Sequence, residues 1–286
     1  MTDGRRAAGS TPQTSVDHRS TGIDVLTARF APGRRAVVCY VPLGDPLLPP
    51  QTMLDAYADA GVDVLEVGIP SRDPWLDGPE VSKSMTRALD AGVDAAWVAR
   101  TLADWRSARD DRGRDTPAIL WFGYPELPVD AVRDAAAIRA LDAVLLIEPH
   151  RCTDAATLDA ELARLGVARC AFLPWEPTVE DLGSAAGTTG YVMVQARPGV
   201  TGAGGQPADP RPLVRVARET APGRPVVAGF GVSGPHDVTR VLASGVDGVV
   251  VGSACIGALG DGGEVGLRTF LASVVVAARA ASGSGA

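Results

Sequence analysis

The chain alternates short runs of β-branched and other apolar residues with longer segments rich in alanine, leucine and arginine. This alternation is typical of repeated strand–helix units around a parallel sheet. Eight strands are predicted, at residues 36–41, 62–69, 118–122, 143–147, 169–173, 191–195, 225–228 and 248–252. The segments between them, such as 50–60, 97–109, 130–140 and 235–243, have the composition of helices.

Eight such units favour closure into a single (β/α)8 barrel, the TIM-barrel fold, because closure leaves no edge of the sheet exposed. The competing architecture is an open doubly wound sheet, which usually carries a G-x-G-x-x-G turn after its first strand. No such turn follows the first predicted strand. We therefore expect one catalytic barrel over residues 26–280, with disordered tails at residues 1–25 and 281–286.

Composition restricts the environment and the partners. The chain has 286 residues, 46% of them hydrophobic, and a formal net charge of -7. Because no run of Lys or Arg forms a basic stripe, neither nucleic acid nor a membrane is an expected partner. The four cysteines show no CxxC spacing, and no apolar segment typical of a secretory signal follows the first arginines. We expect reduced cysteines and a cytoplasmic location.

The second predicted strand carries the first candidate for chemistry. In a barrel, functional groups lie where the strands end, at the carboxyl-terminal face. Glu66 interrupts an apolar strand, and alternation places it with Val64 and Gly68, pointing into the barrel. Burial would raise its pKa and make it usable as acid and base near neutrality, although a buried ion pair with an arginine is the alternative. Asp77 follows in the next loop, where it is either a second catalytic carboxylate or an ordinary turn residue before Gly78.

Glycines cluster after three consecutive predicted strands, at 199–202, 229–231 and 252. Glycine lets backbone N–H groups approach a phosphate closely, and the loops after strands 7 and 8 form the usual phosphate site of such barrels. The alternative is that these glycines form tight turns only. Three sites in the correct loops favour a phosphate-binding role.

Other mechanisms lack the residues they need. Lys83 is the only lysine and is predicted on a helix surface, which argues against Schiff-base chemistry inside the barrel. The histidines are scattered, so no metal site is expected, and no G-x-S-x-G motif supports a serine hydrolase. We expect no metal and no cofactor. The three histidines are His18, His150 and His236.

At these same positions, over about residues 36–257, the sequence resembles the tryptophan synthase α subunit family. The resemblance implies a lyase that cleaves indole-3-glycerol phosphate, or a substituted analogue, by a retro-aldol reaction to an indole and glyceraldehyde 3-phosphate, without a cofactor. The matching motifs are Leu43-Gly44-Asp45-Pro46, Leu65-Glu66-Val67-Gly68-Ile69-Pro70, Asp73-Pro74, Asp77-Gly78-Pro79, Gly199-Val200-Thr201-Gly202, Gly229-Phe230-Gly231-Val232-Ser233 and Gly252-Ser253.

The resemblance also implies a role for individual residues. Glu66 and Asp77 stand at the two catalytic carboxylates of the family, and Thr201 stands where the family orients its Asp. The implied phosphate site consists of Gly202, Gly231, Gly252 and Ser253. The implied indole pocket is lined by Tyr40 and Phe230.

The loops depart from the usual family pattern. In the family, the loops after strands 2 and 3 contact a β subunit and control the transfer of indole to it. The family's Asn in the third loop is lost here, which argues against that partnership, and the altered loops favour a stand-alone or specialised lyase. They are Ser71-Arg72 in the second loop, Tyr124-Pro125-Glu126 in the third, Glu148-Pro149-His150 in the fourth, and Met193 in strand 6.

Three other hypotheses remain open at this point. The chain could be an ordinary α subunit that depends on a β subunit. It could be a non-catalytic phosphate-binding barrel that serves as a partner subunit, although the presence of both carboxylates argues against this. It could also be another phosphate-binding barrel, such as a sugar-phosphate isomerase, which would release no indole.

Overall fold

The computed structural model describes residues 20–152, 154–199 and 208–282. Its strands are β1 (Ala36–Val41), β2 (Val64–Gly68), β3 (Ala118–Gly123), β4 (Ala143–Leu146), β5 (Ala168–Leu173), β6 (Val192–Gln195), β7 (Val226–Gly229) and β8 (Gly248–Val251). All neighbouring strands are parallel, and β8 pairs with β1 to close the barrel. The predicted (β/α)8 barrel is confirmed.

Helices cover the outside of the barrel. Several begin where the sequence provides a start signal: proline is the first residue of α2, α3 and α9, and the side chain of Asp94 caps α4 by accepting the N–H of Trp97 at 2.7 Å. The helices are α1 (Gly22–Thr27), α2 (Pro50–Asp59), α3 (Pro79–Asp90), α4 (Ala95–Asp110), α5 (Val129–Ala137), α6 (Ala155–Leu165), α7 (Val179–Ala186), α8 (Arg211–Thr220), α9 (Pro235–Leu242) and α10 (Ser253–Ser282).

The strands are buried on both faces, which explains their nearly continuous apolar sequences. One set of side chains, including Val38, Leu120 and Leu145, fills the barrel interior. The alternate set, including Val37 and Ile119, packs against the helices in a larger core. Only the interior set can contribute to a site at the mouth of the barrel.

Helix α1 closes the amino-terminal end of the barrel. The side chains of Thr21 and Asp24 form a capping box, and Leu26 is buried in the interior cluster beneath β3, β4 and β5. Residues 22–25 are therefore helical, where the sequence predicted the end of a disordered tail, because the capping box and the burial of Leu26 order this segment. In the second predicted tail, Ala281 and Ser282 are instead the last residues of α10, where the hydroxyl of Ser282 accepts the N–H of Arg35 at 3.1 Å. Residues 1–19 and 283–286 of the predicted tails lie outside the described residues.

Three aspartates stand directly before β2, β4 and β8 at the amino-terminal face. The carboxylate of each accepts a backbone N–H of the preceding strand at 2.8 Å: Asp63 from Val37, Asp142 from Ile119 and Asp247 from Val226. Each also pairs with at least one arginine. In the pair of Asp142 with Arg106 both side chains are buried. These carboxylates hold the strand ends in register and are fully engaged in doing so.

Among the described helices, α10 is the one long and apolar enough to cross a membrane by length and composition alone. Its helical path is broken at Gly263, where φ is 57° and ψ is -148°. One face of both halves is buried, including Leu259, Leu267 and Leu271, and packs against β1, α2, α3 and α9. This helix belongs to the outer layer of the barrel.

Candidate active site

Glu66 lies at the centre of β2, and its side chain points into the barrel. In the sheet register its neighbours are Tyr40 on β1 and Leu120 on β3, and both belong to the interior apolar cluster. Glu66 is 4% exposed. The carboxyl group therefore lies among apolar side chains, in the orientation that strand alternation predicts.

Burial controls the protonation of Glu66. It raises the pKa from 4.5 to about 8, mainly by disfavouring the charged form and further through the negative charge of Asp77. The nearby hydroxyl of Tyr191 opposes the rise, although it forms no hydrogen bond among the described residues. Within the described part of the chain, Oε2 of Glu66 has no hydrogen-bond partner and no arginine forms an ion pair with this residue. Both protonation states are accessible near neutral pH, so this carboxyl can donate and accept a proton.

Asp77 lines the same cavity from the loop between β2 and α3. The hydroxyl of Tyr124 donates a hydrogen bond to its Oδ2 at 2.7 Å, and its own N–H donates to the carbonyl of Pro74 at 3.0 Å. Burial and the charge of Asp77 raise the pKa of Tyr124, so that the phenol remains a neutral donor. A second carboxyl group is thus held at a defined position facing the cavity that contains Glu66.

The remaining wall of this cavity is largely apolar. Tyr40 and Phe230, the two residues implied by the family resemblance, both line it, together with Phe122 and Met193. The ring of Phe230 also packs against Phe172, with centroids 5.3 Å apart. The cavity therefore offers aromatic and apolar surface suited to a flat ring.

The loops after β7 and β8 form the far side of the cavity. Gly231, Gly252 and Ser253 all line it. Phe230 and Gly231 have consecutive positive φ angles of 72° and 75°, a tight turn, and Ser253 begins α10, where backbone N–H groups lack helical partners. The predicted residues Thr201 and Gly202 lie outside the described residues.

Two residues near the cavity were missed by the sequence reasoning. Tyr124 holds Asp77, as described above. Arg197, two residues beyond the end of β6, lies directly against Gly231, and a Cβ at Gly231 would overlap its guanidinium group. Both follow the ends of strands, so the rule that located Glu66 and Asp77 could also have found them.

The other chemistry-bearing residues lie elsewhere. Lys83 is exposed on α3, and His150 and His236 are exposed at the surface. Across residues 20–152, 154–199 and 208–282, no three His, Cys, Asp or Glu side chains cluster in a way that could hold a metal ion. All four cysteines are free.

A closed (β/α)8 barrel with a protonatable Glu and a second carboxylate facing one cavity is the arrangement typical of a barrel enzyme suited to acid–base chemistry. Comparison with known proteins identifies the kind. The sequence profile of the family described as tryptophan synthase alpha chain matches residues 26–280. The chain belongs to the tryptophan synthase alpha chain family.

Individual relatives support this assignment. The tryptophan synthase alpha chain of Xanthomonas euvesicatoria pv. vesicatoria is 34% identical over 245 residues, covering 82% of this chain and 88% of the relative. That of Xanthomonas axonopodis pv. citri is 33% identical with the same coverage. A solved structure of Mycobacterium tuberculosis tryptophan synthase matches with a TM-score of 0.73 and 26% identity, over 91% of this chain and 99% of that chain.

The family is one of carbon–carbon lyases that cleave indole-3-glycerol phosphate to indole and glyceraldehyde 3-phosphate. The lyase class predicted from the sequence is therefore confirmed for this chain.

Proposed function

We propose that Glu66 and Asp77 carry out the retro-aldol cleavage of indole-3-glycerol phosphate, or of a substituted analogue, in this chain. The observation that carries the proposal is the state of Glu66, a buried carboxyl group with a pKa of about 8 and an unpartnered oxygen. Such a group is costly to bury unless a ligand completes its contacts. Asp77, in the same cavity, supplies the second group that the reaction requires.

The reaction begins with protonated Glu66, which donates its proton to C3 of the indole ring. The ring nitrogen becomes positively charged, and the carboxylate of Asp77 accepts the ring N–H and stabilises that charge. Carboxylate Glu66 then takes the proton from the side-chain hydroxyl. The bond from C3 to the side chain breaks, its electrons return to the ring, and the aldehyde forms. Glu66 ends as it began, so the cycle is balanced without a cofactor.

The phosphate of the substrate would bind at the loops after β6, β7 and β8. The N–H groups near the start of α10 and the turn at Gly231 favour an anion, and the guanidinium of Arg197 adds positive charge beside that turn. Anchoring the phosphate there would position the scissile bond between the carboxyls. The proposed phosphate contacts are Gly202, Gly231, Gly252 and Ser253, with Thr201 orienting Asp77.

The ring of the substrate would occupy the apolar part of the cavity. Tyr40 and Phe230 face it, and Phe122 and Met193 complete the wall. An apolar slot excludes water from the developing charge, which strengthens its interaction with Asp77. A substituent on the indole ring would be accommodated against these wall residues, so their identity would determine which substituents fit.

Tryptophan synthase alpha chains normally pair with a beta subunit. We propose that this chain turns over without one, since the loops after β2, β3 and β4 depart from the family pattern. A cytoplasmic location is the matching proposal, supported by four free cysteines. The ordinary alpha-chain role predicts instead that activity rises strongly when a beta subunit is added.

The test is incubation of the purified chain alone with indole-3-glycerol phosphate, with indole release measured for the natural chain and for Glu66→Gln and Asp77→Asn. We expect release by the natural chain and a loss of about 10²- to 10⁴-fold in kcat for Glu66→Gln. Binding of glyceraldehyde 3-phosphate should persist in both variants.

Full activity in either variant would show that the roles are wrongly assigned. An inactive natural chain that still binds glyceraldehyde 3-phosphate would support a non-catalytic partner subunit, and isomerisation of a sugar phosphate without indole would support a different barrel enzyme.

A further inference from the structure

We propose that Trp75 is a positioning residue for Asp77, and that contacts within this chain hold the loop after β2 in its working arrangement. The inference rests on the proposed role of Asp77. Residues 74–77 form one turn, closed by the hydrogen bond from the N–H of Asp77 to the carbonyl of Pro74 at 3.0 Å. Because Trp75 and Asp77 share this short turn, fixing the indole of Trp75 also fixes the carboxylate.

Tyr124 contacts both residues of the turn. Its ring packs against the indole of Trp75 with centroids 4.5 Å apart at an angle of 60°, and its hydroxyl donates to Asp77 at 2.7 Å. Tyr124 is itself buried, with its ring edge-on to Phe122 at 5.8 Å. A tilted aromatic pair at this distance is attractive beyond simple burial. The barrel interior thus provides a rigid base for the turn.

The loop after β4 provides a second support. The guanidinium of Arg151 lies 5.2 Å from the centroid of the Trp75 ring, a cation–π contact. Arg151 is held in turn by an ion pair with Glu148 at 2.7 Å. Trp75 is 38% exposed, so the indole is covered only in part. Three loops, after β2, β3 and β4, meet at this one ring.

A further tie joins the first two of these loops. The hydroxyl of Ser71 donates a hydrogen bond to the carboxylate of Glu126 and accepts the N–H of Asp73 at 3.1 Å. Ser71, Glu126 and Glu148 all lie at positions where the chain departs from the usual family pattern. The departures therefore create contacts between loops of the same chain, which can order the Asp77 turn without a second subunit.

This order matters because Asp77 must stay within hydrogen-bonding distance of the ring nitrogen. Displacement of a reacting group by about 1 Å can cost about a hundredfold in rate. Trp75 lies on the loop after β2, whereas the proposed phosphate site lies on the loops after β6, β7 and β8. Removal of the Trp75 side chain should therefore lower kcat for indole release and leave the affinity for phosphate unchanged.

The experiment compares Trp75→Ala with Trp75→Phe in the isolated chain, using indole-3-glycerol phosphate as substrate and inorganic phosphate as a binding probe. We expect Trp75→Ala to lower kcat about tenfold, with KM and phosphate binding unchanged. Trp75→Phe keeps an aromatic ring on Tyr124 and should restore most of the rate. Arg151→Met should give a smaller loss of about threefold, since this contact is more exposed.

A double-mutant cycle distinguishes positioning from a merely structural role. If Trp75 acts through Asp77, then Trp75→Ala should change kcat little in the Asp77→Asn background. An unchanged kcat in Trp75→Ala, an equal loss in both backgrounds, or a loss seen only when a beta subunit is present would each overturn the inference. An absence of indole from the natural chain would instead refute the proposed function, before any variant is compared.

Discussion

At the amino-terminal face of the barrel, Asp63 and Asp142 are buried and bound to backbone N–H groups and arginines. At the carboxyl-terminal mouth, Glu66 is equally buried, yet one of its oxygens has no hydrogen-bond partner among the described residues. The same kind of group, at similar depth, is therefore satisfied at one end and unsatisfied at the other.

The difference separates stability from catalysis along the barrel axis. Carboxylates that accept several hydrogen bonds stabilise the folded chain and have no capacity left for a ligand. An unsatisfied carboxyl among apolar side chains destabilises the fold and can exchange a proton with a bound molecule. Removing a carboxylate at the amino-terminal face should therefore lower the stability of the fold, and removing the carboxyl group of Glu66 should lower the rate of the reaction.

The largest expected effect on stability comes from Asp142→Ala. This change leaves the buried Arg106 without its ion pair and the N–H of Ile119 without an acceptor, and should lower the free energy of unfolding by about 3 to 5 kcal/mol. Urea unfolding at pH 7 measures the change. Asp130→Ala is the control, because its ion pair with Arg133 lies at the surface, and its effect should be far smaller. A folded Asp142→Ala protein with a strongly reduced kcat would contradict the separation of stability at the amino-terminal face from catalysis at the carboxyl-terminal mouth.

Glu66→Gln is expected to raise the free energy of unfolding at high pH, by less than Asp142→Ala lowers it. The pKa of Glu66 is about 8 in the folded chain against 4.5 ordinarily, so the folded state binds the extra proton between these values. The resulting stabilisation is complete below about pH 4.5 and is lost as the pH rises to about 8, at up to about 1.4 kcal/mol per pH unit. Gln stays neutral and escapes this loss.

Glu66→Gln should therefore gain stability over the natural chain as the pH rises, by about 2 to 4 kcal/mol between pH 4.5 and 8.5. Urea unfolding of both proteins across this range measures the difference, and the subtraction removes the titration of all other groups. Parallel stability curves for the two proteins would mean that Glu66 is not destabilised by burial.

How far the sequence predicts these features depends on how local their causes are. Alternation along β2 is enough to direct Glu66 inward, because adjacent side chains of a strand point to opposite faces. The bond from Tyr124 to Asp77 joins residues 47 positions apart through two loops without regular structure, and no periodicity encodes it. Residues 22–25 of helix α1 were predicted as tail for a related reason: their order comes from packing beneath the barrel, which a helix of six residues does not reveal by itself.

The next, smaller effect concerns how kcat/KM depends on pH in the natural chain and in Asp77→Asn. Since protonated Glu66 starts the reaction, kcat/KM should be constant below about pH 8 and fall about tenfold per pH unit above it. In Asp77→Asn the break should move to lower pH, because the negative charge of Asp77 helps to raise the pKa of Glu66. Steady-state assays from pH 6 to 9.5 provide the comparison. A rate that rises above pH 8 would assign the first step to the ionised form.

The smallest effect is expected for Lys83, the only lysine of the chain. Its side chain is exposed on α3, outside the cavity that contains Glu66 and Asp77. Lys83→Met should therefore change the activation free energy of the reaction and the free energy of unfolding by less than about 0.5 kcal/mol each. Aldol-type cleavage can proceed through a lysine iminium, which borohydride traps as a covalent adduct. A chain whose catalysis depends on carboxyl groups should retain full activity after borohydride treatment with substrate. If borohydride inactivates the natural chain but not Lys83→Met, the reaction depends on Lys83 and not on the carboxyl groups at the barrel mouth. The two ends of the barrel would then differ only in how their carboxyl groups affect stability.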